Sequence, residues 1–399
     1  MPAKKARDLD IVIVGGLGYI GLPLGLVFAD KGFDVCLYDI SRDRAGSVRQ
    51  GIMPFIEYGA QPILKRVLKD KRLSISHDIN VISRARYVII AIGTPIDKNR
   101  NTNQHAFLDA FKKLKRYLRN GQTIIVRSTI YPQTCRKMYK ILRNEKIGIA
   151  YCPERIVQGY AIKELKKLPQ IVSGIDSDST NEAAKLFKRI SSKIIKTSLE
   201  EAELIKFFTN AWRYIQFAIT NELYMISDNY GVEYDKIRSI MCDGYERMAN
   251  LPSAGFTAGP CLFKDTLYLT AFNRNNFKLG RSAMTVNEGL PGFIVNKLKK
   301  KFNLKKKVVG ILGMAFKADI DDKRDSLSYK LLRILKSKGA RVLCSDEYID
   351  DPSFVSSKRL LKECDIVIIG APHSAYRNIR FPKNVEVVDL WKVTKKAKR

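Results

Sequence analysis

Apolar and polar positions divide the first part of the chain into short strand-like runs separated by longer helical stretches. The runs are rich in β-branched residues, a pattern typical of strands that are buried on both faces of a parallel sheet. The runs that predict strands are residues 11–16, 34–39, 87–95, 123–129, 147–154 and 170–175. Their alternation with helical patterns predicts a doubly wound parallel sheet.

The middle of the chain follows a different rhythm. Over residues 199–229 the apolar positions recur every three or four residues, which predicts one long helix with an apolar face. The apolar residues on this face are Leu204, Phe208, Trp212, Ile215 and Ile219. We expect this face to pack against something large. The helical pattern continues to about residue 301 and is interrupted by a glycine-rich stretch, residues 253–260.

Strand-like runs return at residues 308–316, 341–346, 365–372 and 385–391, and they predict a second, smaller Rossmann-like sheet. The predicted fold class is therefore α/β, with two Rossmann-like doubly wound domains joined by a long central helix and a helical linker domain. The predicted domains are residues 1–198, 199–301 and 302–399.

The composition fits a globular protein. Of 399 residues, 45% are apolar and 28% are charged, which supports buried cores and excludes global disorder. No apolar run approaches the roughly 18 residues that span a bilayer. The N-terminus shows no signal-peptide pattern, so we expect a cytoplasmic protein. The seven cysteines are widely spaced without a CxxC pair, which predicts neither disulfides nor a metal site.

The net charge is strongly positive. Lys and Arg number 71 against 40 Asp and Glu, which gives +31 and raises the question of nucleic-acid binding. The basic residues are spread along the chain, with mild clusters at 299–307 and 395–399, and no nucleic-acid-binding motif accompanies them. We expect solvated surfaces that attract polyphosphate substrates. A second role on nucleic acid or an acidic membrane surface is the alternative.

A dinucleotide site is indicated by residues 16–21, Gly-Leu-Gly-Tyr-Ile-Gly, which follow a predicted strand and open a predicted helix. The glycines allow a tight turn and a close approach of pyrophosphate to the helix N-terminus. Asp39 ends the second predicted strand, where a carboxylate binds the ribose 2′-hydroxyl and favours NAD over NADP. Arg42 and Arg44 follow and leave some room for NADP. The alternative is a glycine turn in another kind of α/β protein.

A candidate nucleophile lies in residues 255–265, where Cys261 follows a loop of small residues and precedes Lys264 and Asp265. A nearby cation and a helix N-terminus both favour the thiolate. The glycines of the loop let the backbone approach a ligand. A buried structural cysteine is the alternative interpretation of this stretch.

Further polar residues occur where active sites form. Lys206 and Asn210 lie four apart on one helix face, and Lys206 is flanked by apolar residues. A lysine that extends along the surface is the alternative for Lys206. Thr129 and Glu154 each follow a predicted strand, and ligands of open α/β sheets bind at such carboxyl ends.

These motifs resemble, over essentially the whole chain, the UDP-glucose/GDP-mannose dehydrogenase family of nucleotide-sugar 6-dehydrogenases. The motifs are Gly-Leu-Gly-Tyr-Ile-Gly-Leu-Pro-Leu from Gly16, Gly93 to Pro95, Ser128 with Thr129, Pro153 with Glu154, Lys206 with Asn210, Cys261 with Lys264 and Asp265, and the later GMAFKAD and RDS. The resemblance implies an N-terminal NAD domain, a central helix that forms a homodimer, and a C-terminal domain that holds UDP.

The resemblance also implies a reaction. A UDP-sugar is oxidised twice at C6 to the uronic acid, with two NAD and one water. Cys261 traps the intermediate aldehyde as a thiohemiacetal, which becomes a thioester. Asp265 and Thr129 hold a water and, with Lys206, manage the proton of the first oxidation. Water, assisted by Glu154 or Asp265, hydrolyses the thioester.

Binding roles follow from the same resemblance. Asn210 and Lys206 stabilise oxyanions. The residues that contact the cofactor are Gly16, Gly18, Tyr19, Ile20, Gly21, Asp39, Arg44, Thr94, Ser128 and Arg324. The residues that contact the substrate are Arg155, Lys264, Arg247, Phe256, Gly259, Phe316 and Lys317. No metal is expected.

The sugar is less well determined by these motifs. Arg155 and Gly159 look more like the branches that act on N-acetylated sugars, whereas Lys264 and Asp265 look more like the UDP-glucose and GDP-mannose branches. UDP-glucose is the first choice, and UDP-N-acetylmannosamine is the alternative. A different class, a non-catalytic NAD-binding sensor or scaffold, is disfavoured because the catalytic set around Cys261 is complete.

Overall fold

The computed structural model describes residues 8–94, 104–143 and 145–394. Pro95 of the Gly93–Pro95 motif and the basic tail at 395–399 lie outside these residues. The chain divides into two compact units, Met1–Phe208 and Thr209–Arg399. The division falls within one long helix, and each unit is described by itself.

The first unit alternates strands and helices. Its strands are β1 (Leu9–Val14), β2 (Val35–Tyr38), β3 (Leu73–Ser76), β4 (Ala85–Ile90), β5 (Thr123–Val126), β6 (Gly148–Tyr151), β7 (Gln170–Gly174) and β8 (Ile194–Lys196). Its helices are α1 (Gly21–Asp30), α2 (Arg42–Arg49), α3 (Ala60–Lys69), α4 (Gln104–Lys115), α5 (Thr134–Leu142), α6 (Ala161–Lys167), α7 (Ser177–Phe187) and the start of α8 (Leu199–Asn229).

The strands form one sheet in the order β3-β2-β1-β4-β5-β6-β7-β8. The first six strands are parallel and follow the Rossmann order, whereas β7 runs antiparallel to β6. The strands β3 and β8 were absent from the sequence prediction. Both are short edge strands whose residues are partly exposed, so neither has a long apolar run.

Alternation along the strands covers both faces of this sheet. In β1, Ile11 and Ile13 join an apolar cluster with α1, α3, α6 and α7. Val12 and Val14 join the opposite cluster with α4, α5 and the start of α8. Because helices cover both faces of the sheet, the residues that point to either face can be apolar. This explains the continuous apolar runs of these strands. The predicted doubly wound sheet is confirmed.

The second unit begins in α8 and continues with α9 (Tyr234–Cys242), α10 (Leu262–Phe272) and α11 (Lys278–Lys301). The next elements are β9 (Val308–Leu312), α12 (Leu327–Ser337), β10 (Arg341–Ser345), α13 (Ser357–Glu363), β11 (Ile366–Ile369) and β12 (Glu386–Val388). The four strands pair in parallel in the order β10-β9-β11-β12. This sheet is the smaller Rossmann-like sheet that the sequence predicted.

The apolar face predicted for α8 is largely exposed. Phe208, Trp212 and Ile219 are 54%, 62% and 50% exposed. The buried residues instead lie one or two positions away and include Phe207, Ala211, Tyr214 and Ala218. The helix therefore has apolar side chains on an inner and an outer face, and the periodicity singled out the outer one.

The glycine-rich loop before Cys261 is fixed within the second unit. The buried amide of Asn221 donates to the carbonyl of Gly255 (3.1 Å) and accepts from its N–H (2.9 Å). A Cβ atom on Gly255 would collide with the indole ring of Trp391. Gly259 has a φ of +104°, and a Cβ there would lie 2.5 Å from the ring of Phe316. These glycines make room for aromatic rings of the C-terminal segment.

Replacing Gly255 by Ala places a methyl group against the Trp391 ring, and this overpacking should destabilise the protein by about 1–3 kcal/mol. Thermal unfolding measures the change. The matched control is Gly289→Ala, because Gly289 lies in α11 with no neighbour within 4 Å of an added Cβ. A second change, Trp391→Leu, should restore part of the stability lost in Gly255→Ala. A Gly255→Ala protein that melts like the wild type would contradict this packing.

A buried carboxylate links α8 to α5 in the first unit. Glu203 is 2% exposed and accepts a hydrogen bond from the N–H of Gln133 (2.6 Å), the residue before α5. Burial raises the pKa of Glu203 to about 7, despite the backbone hydrogen bonds that lower it. Between the ordinary pKa of 4.5 and 7 the folded state therefore holds a proton that the unfolded state releases. Stability is lost as the pH rises through this range.

Glu203→Gln should remove this pH dependence, because the amide carries no charge to bury. Near pH 5 the variant and the wild type should be similarly stable. At pH 8 the variant should be more stable, by on the order of 3 kcal/mol. Denaturant unfolding at the two pH values measures the difference, and the control is Glu222→Gln, which changes an exposed glutamate of the same helix. An equal effect of pH on wild type and Glu203→Gln would disprove the interpretation.

Candidate active site

The turn after β1 is shaped by glycines. Gly15 has a φ of +77°, and its N–H and that of Gly16 donate to the carbonyl of Tyr38. A Cβ on Gly16 would lie 2.8 Å from Leu37, and one on Gly21 would collide with the Gly15 carbonyl. A Cβ on Gly18, by contrast, would meet only one atom, at 3.3 Å, which leaves this side of the turn open to a ligand.

Charged residues lie beside this turn. The carboxylate of Asp39, directly after β2, accepts from the N–H groups of Leu17 and Ser41 (both 2.9 Å). The guanidinium of Arg44 donates to the Leu17 carbonyl and stacks 5.1 Å from the ring centre of Tyr19. Helix α1 begins after Ile20 without a side-chain cap or an acidic residue in its first turn. Its N-terminal N–H groups therefore suit a pyrophosphate, and the turn fits NAD.

The carboxyl ends of β4 and β5 bring three predicted residues together. The Thr94 hydroxyl donates to the carbonyl of Thr129 (2.8 Å), and the Ser128 hydroxyl donates to the carbonyl of Ile92 (2.7 Å). Two adjacent parallel strands end at the same edge of the sheet, which explains the contact. The predicted cofactor residues Thr94 and Ser128 thus lie next to the predicted catalytic Thr129.

Glu154, which follows β6, is surrounded by hydrogen-bonding and ion-pair partners. Its carboxylate is paired with the guanidinium of Arg127 and also accepts from the N–H groups of Arg155 (2.8 Å) and Ile156 (3.0 Å). Its carbonyl accepts from the ammonium of Lys206 (2.7 Å), a side chain of α8 that is 9% exposed. The structure thus brings the predicted Glu154 and Lys206 together within the first unit.

Arg127 is a site residue that sequence reasoning missed. Its side chain is fully buried, donates to the Cys152 carbonyl (2.9 Å) and stacks on the ring of Phe187 (4.7 Å). Its position beside Ser128 and Thr129 was the only available signal. Arg155, which the resemblance assigns to the substrate, donates to the Pro169 carbonyl (2.7 Å).

In the second unit, Cys261 directly precedes α10. Its carbonyl accepts the N–H of Asp265 (2.8 Å) in the first turn of that helix. The Cys261 side chain is exposed, whereas five other cysteines are buried and Cys242 is half-buried. An exposed thiol at a helix N-terminus is the arrangement expected of a nucleophile.

The Asn210 amide, from α8, donates to the buried carboxylate of Asp265 (2.5 Å). The ammonium of Lys264 lies 3.7 Å from the same carboxylate and 5.9 Å from the ring centre of Tyr268. This pairing orients the Asn210 amide, because one of its two N–H groups is used by Asp265. The second unit therefore groups Asn210, Cys261, Lys264 and Asp265.

The other predicted substrate and cofactor residues of the second unit are more dispersed. Phe256 is 2% exposed and packs in the apolar cluster of this unit. Lys317 is half-buried in the loop that follows β9. Arg324 forms a two-pronged ion pair with Asp322. Arg247 is exposed on a short turn and donates to the hydroxyl of Tyr245 (3.1 Å).

Clusters of metal-ligating residues and long apolar helices are both absent from the parts of the chain that the structure describes. No group of three or more His, Cys, Asp or Glu residues there could hold a metal ion. Among the helices of residues 8–94, 104–143 and 145–394, none is long and apolar enough to cross a membrane.

Three domain models of one family match the chain in succession. They are the NAD binding domain over residues 10–191, the central domain over residues 200–289 and the UDP binding domain over residues 310–396, all of the UDP-glucose/GDP-mannose dehydrogenase family.

Individual relatives cover most of the chain. A UDP-N-acetyl-D-mannosamine dehydrogenase of Methanocaldococcus jannaschii is 30% identical over 92% of this chain and 86% of its own. The structure of a UDP-D-ManNAc dehydrogenase from Pyrococcus horikoshii superposes with a TM-score of 0.89 at 26% identity, covering 97% and 96% of the two chains. A UDP-glucose dehydrogenase from Pyrobaculum islandicum has the same fold (TM-score 0.85, 24% identity, 98% and 96% coverage). The chain belongs to the UDP-glucose/GDP-mannose dehydrogenase family, whose NAD-dependent oxidation of nucleotide-linked sugars it shares.

Proposed function

We propose that this enzyme oxidises C6 of a UDP-N-acetylhexosamine to the uronic acid, with UDP-N-acetyl-D-mannosamine as its substrate. The observation that carries the proposal is that similar proteins at 29–30% identity over more than nine tenths of this chain are named UDP-N-acetyl-D-mannosamine dehydrogenases. Arg155 and Gly159 support it, since they resemble the branches that act on N-acetylated sugars. UDP-glucose, the first choice from the sequence motifs alone, becomes the second candidate. It is kept because Lys264 and Asp265 resemble the UDP-glucose and GDP-mannose branches.

NAD, held at the glycine turn after β1, would supply the acceptor for one hydride in each of the two oxidations. In the first, the C6 hydroxyl gives up its proton to a water and C6 becomes an aldehyde; the family resemblance implies Asp265, Thr129 and Lys206 for this proton transfer. The Cys261 thiolate then adds to C6, forming a C–S bond, and the carbonyl oxygen takes up a proton. This thiohemiacetal is a far better hydride donor than the free aldehyde.

The second oxidation leaves a thioester between C6 and Cys261. Water adds to C6, the C–S bond breaks, the thiolate returns and the product leaves as a carboxylate. The family resemblance implies that the Asn210 amide and the Lys206 ammonium stabilise the oxyanions that form on the C6 oxygen. Asp265 is the base for the water, because it lies one helix turn from Cys261, whereas the Glu154 carboxylate is paired with the guanidinium of Arg127. Glu154 then acts by positioning Lys206.

The remaining assignments are part of the same proposal. The predicted domains, residues 1–198, 199–301 and 302–399, would bind NAD, form the homodimer and hold UDP. The cofactor and substrate contacts are those that the resemblance implies, including Arg324 and Lys317. Three exposed side chains of α8 support a homodimer. Trp212, Ile219 and Ile226 recur every seven residues on one face and are 62%, 50% and 59% exposed.

Purified protein and NAD should form two NADH per sugar with UDP-N-acetylmannosamine, followed at 340 nm. UDP-glucose, UDP-N-acetylglucosamine and GDP-mannose should react more slowly. Cys261→Ser should lower uronate formation by at least about a thousandfold, because the thioester cannot form. Cys242→Ser, which changes the half-buried thiol, is the control and should keep wild-type activity. Undiminished uronate formation by Cys261→Ser would contradict the assignment of the nucleophile. A preference for UDP-glucose would contradict the assignment of the sugar.

The wild type should have about twice the 45.4 kDa mass of one chain in light scattering. Ile219→Glu should shift the protein to the monomer, because a charge would be buried at the centre of the apolar face. The control is Ile52→Glu, an isoleucine of the first unit that is 53% exposed. A wild-type monomer, or a dimer that survives Ile219→Glu, contradicts the proposed interface.

A further inference from the structure

The carboxyl edge of the second sheet contains a buried acid–imidazole pair. Asp346 follows β10, and His373 follows β11. Both side chains are fully buried, and the Nε2 atom of His373 lies 3.1 Å from Oδ2 of Asp346. The loop after β9, residues 313–319, passes beside both of them and contains Phe316 and Lys317.

Asp346 holds the start of this loop. Its Oδ2 accepts from the N–H groups of Met314 (2.6 Å) and Ala315 (2.9 Å), and its Oδ1 accepts from those of Tyr348 and Ile349. Burial alone would raise the pKa of Asp346, but the imidazole and the backbone N–H groups outweigh it and the pKa lies below its ordinary value. The carboxylate is therefore a fixed anchor for the loop.

His373 holds the end of the loop. Its Nδ1 accepts from the N–H of Asp319 (2.9 Å), so the ring proton lies on Nε2 and points to Asp346. Asp319 has a φ of +56°, in the left-handed region that residues other than glycine seldom adopt. Its carboxylate accepts from the N–H of Ser374 (2.7 Å). The hydrogen bond to the imidazole and the hydrogen bond to the Asp319 carboxylate together keep the Asp319 backbone in this conformation.

The held loop reaches the nucleophile. The Phe316 ring packs on Gly259, where no side chain would fit, and the N–H of Gly259 donates to the carbonyl of Asp325 (3.4 Å). Cys261 follows two residues later and directly precedes α10. Contacts thus lead from the buried pair through Phe316 to Gly259, and the chain continues from Gly259 to Cys261, entirely within the second unit.

We propose that Asp346 and His373 are positioning residues for the Cys261 nucleophile. By fixing residues 314–319 at both ends, they set the position of the Phe316 ring, and the ring sets the path of the backbone that leads into Cys261. The inference rests on the proposed function for the role of the thiol. Lys317 lies in the same loop, so the pair holds the predicted nucleotide contact and the nucleophile in one arrangement.

Two substitutions of His373 separate its two hydrogen bonds. The Asn oxygen occupies about the position of Nδ1, so His373→Asn keeps the acceptor for Asp319. The Gln amide nitrogen occupies about the position of Nε2, so His373→Gln keeps the donor to Asp346 and loses the Asp319 anchor. His373→Gln should lower kcat about tenfold. His373→Asn should stay within about twofold of the wild type, a rescue that general destabilisation would not produce.

The second readout is the alkylation rate of Cys261 by iodoacetamide in a Cys242→Ser background, where the five remaining cysteines are buried. His373→Gln should change this rate, and His373→Asn should not. Near-ultraviolet circular dichroism checks that each variant is folded. Phe316→Leu, which leaves the buried pair intact, should change the rate in the same direction as His373→Gln.

The inference is overturned if His373→Gln and His373→Asn are alkylated at the same rate, or if Phe316→Leu is alkylated at the wild-type rate. Alkylation requires no turnover. A failure of the proposed sugar oxidation would therefore leave this test intact, and the two failures are distinguishable.

Discussion

The ammonium of Lys206 is withdrawn from water, and a buried cation is costly unless an acceptor is held in place for it. The acceptor is the backbone carbonyl of Glu154, a residue whose side chain is in turn fixed by Arg127 and by two N–H groups. Because the acceptor belongs to the main chain at the end of β6, it cannot rotate away from the lysine. The start of α8 is therefore tied to the carboxyl edge of the first sheet.

The second unit also contains a buried charge that is held by a neutral partner, but here the charge is an anion. The carboxylate of Asp265 is fully buried and is met by the Asn210 amide, so α8 and α10 are joined through a polar contact. The loop before α10 is held by Asn221 on one side and by aromatic rings on the other. Polar groups that are buried without partners destabilise a fold, so these contacts both position the chemistry and stabilise the structure.

The elements with long apolar runs could be predicted from the sequence, and those without them could not. Strands such as β1 and β5 are buried on both faces, whereas β3 and β8 are short edges with exposed positions. The glycine turn and Cys261 were identifiable because their chemistry depends on residue type at fixed local spacing. Arg127 was not, because burial of an arginine depends on Glu154 and Phe187, which are distant in sequence.

The packing role of the glycines before Cys261 could not be predicted for the same reason. Sequence reasoning assigned these glycines to the close approach of a ligand, which stays a prediction, and did not foresee that Gly255 and Gly259 face the rings of Trp391 and Phe316. Their partners lie more than fifty residues further along the chain, and periodicity carries no information about such contacts. Likewise, the apolar spacing in α8 could not tell an inner face from an outer one.

The distribution of the seven thiols determines how the protein responds to oxidation during storage. Burial raises the pKa of Cys36, Cys135, Cys152, Cys344 and Cys364, so these side chains remain protonated and unreactive near neutral pH. Oxidants therefore reach the exposed Cys261 first and convert it to the sulfenic acid before the core is affected. If Cys261 is the nucleophile of the proposed reaction, a preparation stored in air would lose turnover while its spectrum and melting curve stayed unchanged, and a thiol reductant added early would restore the turnover.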